Sequence, residues 1–265
     1  MKFAQLLCHS AAVSALAFAS VAVHADTLDD IRQAKKVRIS IDLAIPPAGM
    51  ADDKLQPIGS DVETARLLAK DLGVALEIVP TTGATRIPNL QTNKADLVIS
   101  TLSVTPERAK VIDFSTPYAG LQSVVGATRN LNIKSLADLN GKTVTVTRST
   151  TQDADLTQSA KGANIVRYDD DATMVTAAVS GQADIVATSL ALVNTIMHKN
   201  PSRQMEVKFV LRNFGLGVGV RKDEPRLLVW VNEWVKTNLK NGKLNEIYKK
   251  YYGVNLSDDI LSGAK

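Results

Sequence analysis

The sequence predicts an α/β protein of two lobes, each a sheet flanked by helices, joined by a two-segment hinge. Three observations carry this expectation. Strand and helix periodicities alternate from Val37 to Glu107, the βαβ rhythm of a parallel sheet covered by helices. The same rhythm restarts after a break and runs from Ser135 to Ala187. The chain then ends in two helical stripes with no strand of their own, so the second lobe reads as an insertion into the first.

Each element follows from its residues. Val37, Ile39 and Ile41 alternate as a strand. Ser60 and Glu63 have capping-box spacing, and Val62, Ala65, Leu68, Ala69 and Leu72 form a helical stripe stopped by Gly73. Val74–Val79 is strand-like, Ile87–Gln91 a short helix, and Ala95–Ile99 a buried strand. Thr105-Pro106-Glu107 opens another helix, with proline at its first position. In the second unit, Ser135–Asn140 and Gly141 lead into the strand Thr143–Val146, and Ser149-Thr150-Thr151 starts a helix. Ile165–Tyr168 is a strand, Asp171–Ser180 a helix ended by Gly181, and Asp184–Ala187 a strand. Leu227, Leu228, Val231, Trp234 and Val235 mark a long amphipathic helix, stopped by Gly242 before a last helix over Leu244–Tyr252. The chain should leave the first lobe near Leu121–Thr128 and return near Phe214–Arg221, where Gly215, Gly217 and Gly219 make the backbone permissive. The expected boundaries are 26–124 with 219–265 for lobe I, and 125–218 for lobe II.

The first 25 residues read as an export signal. Lys2 precedes a mostly apolar run to Val23, and Val23-His24-Ala25 is a small-x-small cleavage pattern. His9 and Ser10 break the run, which argues against a membrane anchor. Leu7 before Cys8 argues against a lipoprotein. Cleavage after Ala25 would place the protein in the periplasm and remove its one cysteine and two of its three histidines. No disulfide, thiol nucleophile or thiolate metal site is then expected, and no metal or other cofactor. His198, alone in the mature chain, reads as a helix-end residue rather than a catalytic one. A formal charge of +4, with basic residues scattered among acids, does not suggest nucleic acid.

Several segments together resemble a known family. They are Gly59-Ser60-Asp61-Val62-Glu63 with Leu67–Gly73, Arg86-Ile87-Pro88-Asn89-Leu90-Gln91, and Ser100–Arg108. Asp113–Tyr118, Gly141–Val144 with Thr150-Thr151-Gln152, and Asn241–Leu244 complete the set in order along the mature chain. These resemble the polar-amino-acid-binding proteins of bacterial ABC transporters. The resemblance implies the two-lobed periplasmic-binding-protein fold of type II, a monomer that closes on an amino acid or related carboxylate and delivers it to a membrane permease. It implies no enzymatic activity.

By the same resemblance Arg108 is the carboxylate-binding arginine, and Thr101 and Ser103 supply ligands from the preceding loop. A guanidinium can hold a carboxylate bidentately, and the strand-to-helix turn Ser149, Thr150, Thr151 would add helix-start N–H groups. Arg86 matches the position where family members that bind acidic amino acids place a side-chain-recognising arginine, so the expected ligand is small and acidic. Three positions depart from the pattern. Ile45 and Ala48 flank Pro46-Pro47 where an aromatic is usual, and Gly83 replaces a second aromatic. Ser189 stands where the family places an aspartate against the ligand ammonium. Asp42 and Asp171 are the candidate replacements, although Asp171 is equally suited to capping its helix. The missing ammonium partner keeps a dehydratase acting on cyclic carboxylates, or a binder of a non-amino carboxylate, as alternatives.

Overall fold

The structure is a computed structural model that describes residues 26–263. The expected export signal over 1–25 lies outside the described residues.

In chain order the first segment contains α1 (Thr27–Ala34), β1 (Lys36–Ile41), a ribbon of β2 (Met50–Ala51) with β3 (Pro57–Ile58), α2 (Ser60–Leu72) and β4 (Ala75–Pro80). It continues with α3 (Arg86–Gln91), β5 (Leu97–Val98), α4 (Pro106–Ala109) and β6 (Asp113–Phe114). The next is β7 (Ala119–Thr128), β8 (Thr143–Thr147), α5 (Thr151–Ser159), β9 (Asn164–Tyr168), α6 (Asp171–Ser180), β10 (Ile185–Ser189), α7 (Leu190–Lys199) and β11 (Met205–Leu216). The chain ends in β12 (Gly219–Val220), α8 (Pro225–Lys240), α9 (Lys243–Tyr252) and α10 (Asp258–Ser262).

Two five-stranded sheets share one plan. The first runs β4-β1-β5-β12-β6 and the second, read from its far edge, β9-β8-β10-β7-β11. In each, the second strand of that order is flanked by parallel neighbours: β1 by β4 and β5, β8 by β9 and β10. In each, the fourth strand is antiparallel and comes from another stretch of chain: β12 beside β5, β7 beside β10. Leu227, Val231, Trp234, Val235 and Leu244 of the C-terminal helices join Val37, Ile39, Ile41 and Leu68 in one buried cluster. Burying each such side chain contributes roughly 1.5–3 kcal/mol, which is why these helices cover the first sheet rather than standing alone.

The chain crosses between sheets twice, before Ala119 and after Leu216, where β7 and β11 pair from Ala119–Leu216 to Thr128–Met205 with two irregularities. The glycines of the return crossing are there for space rather than for backbone freedom. A Cβ on Gly217 would lie 3.0 Å from both Phe114 and Val104, and one on Gly219 would lie 2.9 Å from Leu102.

Local differences from the sequence reading have clear causes. Gly59, at φ 128°, caps α2, so the Ser60–Glu63 capping box does not form. The helix-start N–H groups of Ser60 and Asp61 donate instead to the carbonyls of Pro47 and Ala48, which frees Glu63 to accept from Lys250 and Tyr251. The cap of α6 is Asp170, which accepts from Thr173 N at 2.7 Å, so Asp171 is released from that duty. The sequence reading also missed α1, the β2–β3 ribbon, the start of α7 (it placed only the helix end at His198), α10 and most of β11. The last alternates poorly because much of it is half-exposed.

Candidate functional site

The residues singled out by the sequence lie at the carboxyl ends of parallel strands, where crevices in open α/β sheets form. Asp42 follows β1, Ser100–Ser103 follow β5, Ser149–Thr151 follow β8, Asp171 follows β9 and Ser189 ends β10. Arg86, Thr101, Ser103, Arg108, Thr150, Thr151, Asp171 and Ser189 wall one cavity of about 40 Å³ between the two sheets. Ile45, Leu121, Thr147 and Gln152 add to its walls. Asp42 and Ser149 are not among them. Beside Thr101, Leu121 and Ser189 the cavity adjoins a wider, more apolar chamber of about 310 Å³ that reaches Tyr248 and Tyr252.

At one end, the Thr105 hydroxyl caps α4 and Pro106 opens it, which sets Arg108 on the first turn. The guanidinium spans the cleft: Nη1 donates to the Ser103 carbonyl at 3.0 Å and Nη2 to the Ser149 carbonyl at 3.2 Å. Burial, reinforced by the charge of Arg86, pushes its pKa down to about 9. Among the described residues no carboxylate forms an ion pair with it. The Thr150 hydroxyl caps α5 by accepting from Asp153 N at 3.2 Å and donates to the Thr147 carbonyl, which leaves the Thr151 and Gln152 N–H groups without intrahelical partners. Ser149 therefore takes part through its carbonyl, with φ at 62° and an exposed side chain. A side chain at Gly83 would press on this turn, since its Cβ would sit 3.1 Å from the Arg148 carbonyl and 3.6 Å from the Thr150 methyl. Glycine at this position lets the lobes meet directly.

The other end is a buried charge cluster. Arg86 is 4% exposed and donates from Nη1 to the Ser100 carbonyl at 2.7 Å, while its Nε has no partner. Burial depresses its pKa, against the pull of Asp171, Asp42 and Asp61. Asp42 accepts from Ala44 N at 2.9 Å through Oδ1, and its buried Oδ2 is unpartnered. Burial pushes its pKa up to about 6. Asp171 accepts from the Thr147 hydroxyl at 2.7 Å and is likewise raised by burial. The Ser189 hydroxyl caps α7 by accepting from Leu192 N at 3.3 Å.

Sequence reasoning placed Asp61 in the family-like segment Gly59–Glu63 at a helix start and gave it no part in the ligand loop. Its carboxylate reaches Thr101 N at 2.7 Å and the Tyr118 hydroxyl at 2.9 Å. The one signal available was an acid directly after Gly-Ser at a helix start, which also describes an ordinary cap. Thr147 was missed as well, although a threonine that continues the Thr143, Thr145 alternation to the carboxyl end of a buried strand marks a polar face.

Fold and cleft together define a two-lobed binding protein built to enclose a small polar ligand. The sequence profile of the bacterial extracellular solute-binding proteins, family 3, matches residues 37–254, and the chain belongs to that family. It is 30% identical to the L-cystine-binding protein TcyJ of Escherichia coli (strain K12), over 93% of this chain and 94% of that protein. It is 30% identical to an L-arginine-binding protein of Pseudomonas aeruginosa, over 82% and 88%. Among solved structures, a solute receptor for L-cysteine of Neisseria gonorrhoeae superposes with a TM-score of 0.81 at 29% identity, covering 89% of this chain and 98% of that one. The ancestral amino acid-binding protein AncCDT-1, a precursor of cyclohexadienyl dehydratase, superposes at 0.78 with 34% identity, covering 85% and 99%.

Proposed function

We propose that the protein is exported, processed after Ala25, and acts in the periplasm as a monomer that captures an amino acid and delivers it to the permease of an ABC transporter. Arg108 carries this reading. It is a half-buried guanidinium satisfied only by two neutral carbonyls, one from each side of the cleft. Its charge is therefore free to bind an anion, and a carboxylate is the acceptor whose geometry fits it. Thr150, Thr151 and the start of α5 surround the same end. Asp171 is the proposed partner of the ligand ammonium. It walls the cavity, accepts one hydrogen bond, and is no longer needed as a cap. Relatives named for cystine, glutamine and arginine support an amino acid as the class of ligand.

Arg86 supports the finer choice of an acidic amino acid, since its buried Nε lacks an acceptor. Its charge is already offset by three carboxylates, so it selects a side chain bearing an oxygen acceptor more than a second full charge. A dehydratase is the second reading, favoured only by Asp171, a cavity carboxyl with a raised pKa that could act as a general acid.

Calorimetric titration of refolded, ligand-free protein tests this with glutamate, aspartate, their amides, cystine, arginine and amine-free dicarboxylates. Glutamate, aspartate or their amides should bind tightest, and Asp171→Asn should weaken them about 10- to 100-fold while sparing amine-free acids. Tight binding of amine-free acids alone would overturn the amino-acid reading. Preference for cystine would move the side chain into the wider chamber, and loss of water from a cyclic carboxylate would replace binding by catalysis.

A further inference from the structure

The geometry points to Asp61 as a positioning residue that fixes the ligand loop in its binding conformation and ties it to the hinge. This deepens the reading above and rests on it.

Thr101 stands in both the polar cavity and the neighbouring chamber, and its backbone is in the left-handed region at φ 42°. A β-branched residue does not rest there unless its surroundings impose the conformation. The imposing contact is the Asp61 carboxylate. Its Oδ2 accepts the Thr101 N–H at 2.7 Å, and the whole group is buried. The residues that follow are held differently: Gly217 N donates to the Leu102 carbonyl at 3.1 Å, and Val104 N donates to the Gly215 carbonyl at 2.9 Å. Ser103 bridges Leu216 between them. The loop is therefore laced to the return crossing of the hinge from Leu102 onward, and Thr101 is the turn that connects this lacing to β5.

Asp61 closes the remaining side. Its Oδ1 accepts the Tyr118 hydroxyl at 2.9 Å, and Tyr118 directly precedes β7 while its N–H donates to the Leu216 carbonyl at 2.8 Å. One carboxylate thus joins the ligand loop to both strands that cross between the lobes. Its place is set by Gly59, whose lack of a side chain lets the start of α2 press on Ala48; a Cβ there would lie 2.2 Å from the Ala48 carbonyl. Asp61 need not touch the ligand. It decides the conformation of the residue that does, and it makes that conformation depend on the hinge.

The test is a double-mutant cycle read by titration with glutamate, glutamine and cystine. Asp61→Ala should lower affinity for whichever of them binds about thirtyfold, and Asp61→Asn, which keeps an acceptor for the Thr101 N–H, should stay within about threefold. Thr101→Gly removes the conformational cost, because glycine adopts positive φ freely. In that background the Asp61→Ala loss should shrink below about fivefold. Equal losses in both backgrounds, or unchanged affinity in Asp61→Ala, would overturn the proposal. If Asp61→Ala does not fold, Tyr118→Phe cuts the hinge tie alone and should cost about three- to tenfold with normal melting; no loss would remove the hinge from the role. A readout without ligand separates the two claims. The Thr101 amide proton, bonded to a carboxylate, should resonate well downfield and lose that shift in Asp61→Ala. If no amino acid binds but the shift behaves so, the functional reading fails and the loop-fixing role stands.

Discussion

The two guanidiniums of the cleft, Arg86 buried and Arg108 half-buried, keep opposite company. Arg108 has only carbonyl oxygens around its nitrogens, one on each side of the cleft. Arg86 lies deeper, bonds a carbonyl once, and sits in the field of Asp42, Asp61 and Asp171. A buried cation satisfied by neutral acceptors keeps its charge for a ligand. One already surrounded by carboxylates holds the protein together and has only spare donors to offer. Residue type alone would rank them as equals; on the function proposed above, environment suits one to recognition and the other to architecture with a secondary reading role.

That contrast breaks first at Arg86. Arg86→Gln leaves three buried carboxylates without their shared cation, and removing one side of a buried charge cluster costs about 3–5 kcal/mol. Urea denaturation should show a loss of that size. Unchanged stability would mean the carboxylates do not depend on Arg86, leaving its whole charge to the ligand. Arg108→Ala should do the reverse. It removes a half-buried cation that has no carboxylate, so melting should not fall, while ligand affinity should drop about 100-fold, near 3 kcal/mol. Calorimetry beside a melting curve checks both halves. A destabilised variant that still binds would exchange the roles of the two arginines.

The strand-and-helix plan was legible because it is written in periodicity: Val37, Ile39 and Ile41 are fully buried, and the stripe of α8 packs where its spacing predicts. Site residues were legible as positions but not as roles. Asp171 could be read as a cap or as a ligand group, and the hydrogen bond from Thr173 to Asp170 removes the first role without showing the second. Ser60 and Glu63 show the converse. The spacing of a capping box is present, yet backbone carbonyls from the Pro47–Ala48 turn satisfy the helix start, because Gly59 lets them approach. Asp61 was hidden for the same reason: its partners, Thr101 and Tyr118, are 40 and 57 residues away, and no local pattern encodes a contact of that span.

The smallest expected effect sharpens the comparison from the acid side. Burial raises Asp42 and Asp61 to about 6, well above an unfolded aspartate near 4. The folded protein therefore holds these protons more tightly than the unfolded chain does. The resulting stabilisation is complete below pH 4 and disappears as pH rises through 6. Carboxylates with lowered pKa, such as Asp29 and Glu63, lose their own stabilisation only in more acidic solution, so the window from pH 7.5 to 5 belongs to the buried group. Across it stability should rise by on the order of 1 kcal/mol for each of Asp42 and Asp61, which is a melting shift of roughly 2–4 °C per group. Asp171, also raised by burial, adds to the same rise, so Asp42→Asn, which carries no titrating proton, should lose only its own share of it. Were melting flat from pH 7.5 to 5, or the rise intact in Asp42→Asn, Arg86 would be holding Asp42 fully ionised. The deep end of the cleft would then be a tight ion pair, with a spare donor pointing at the ligand and no proton to exchange with it.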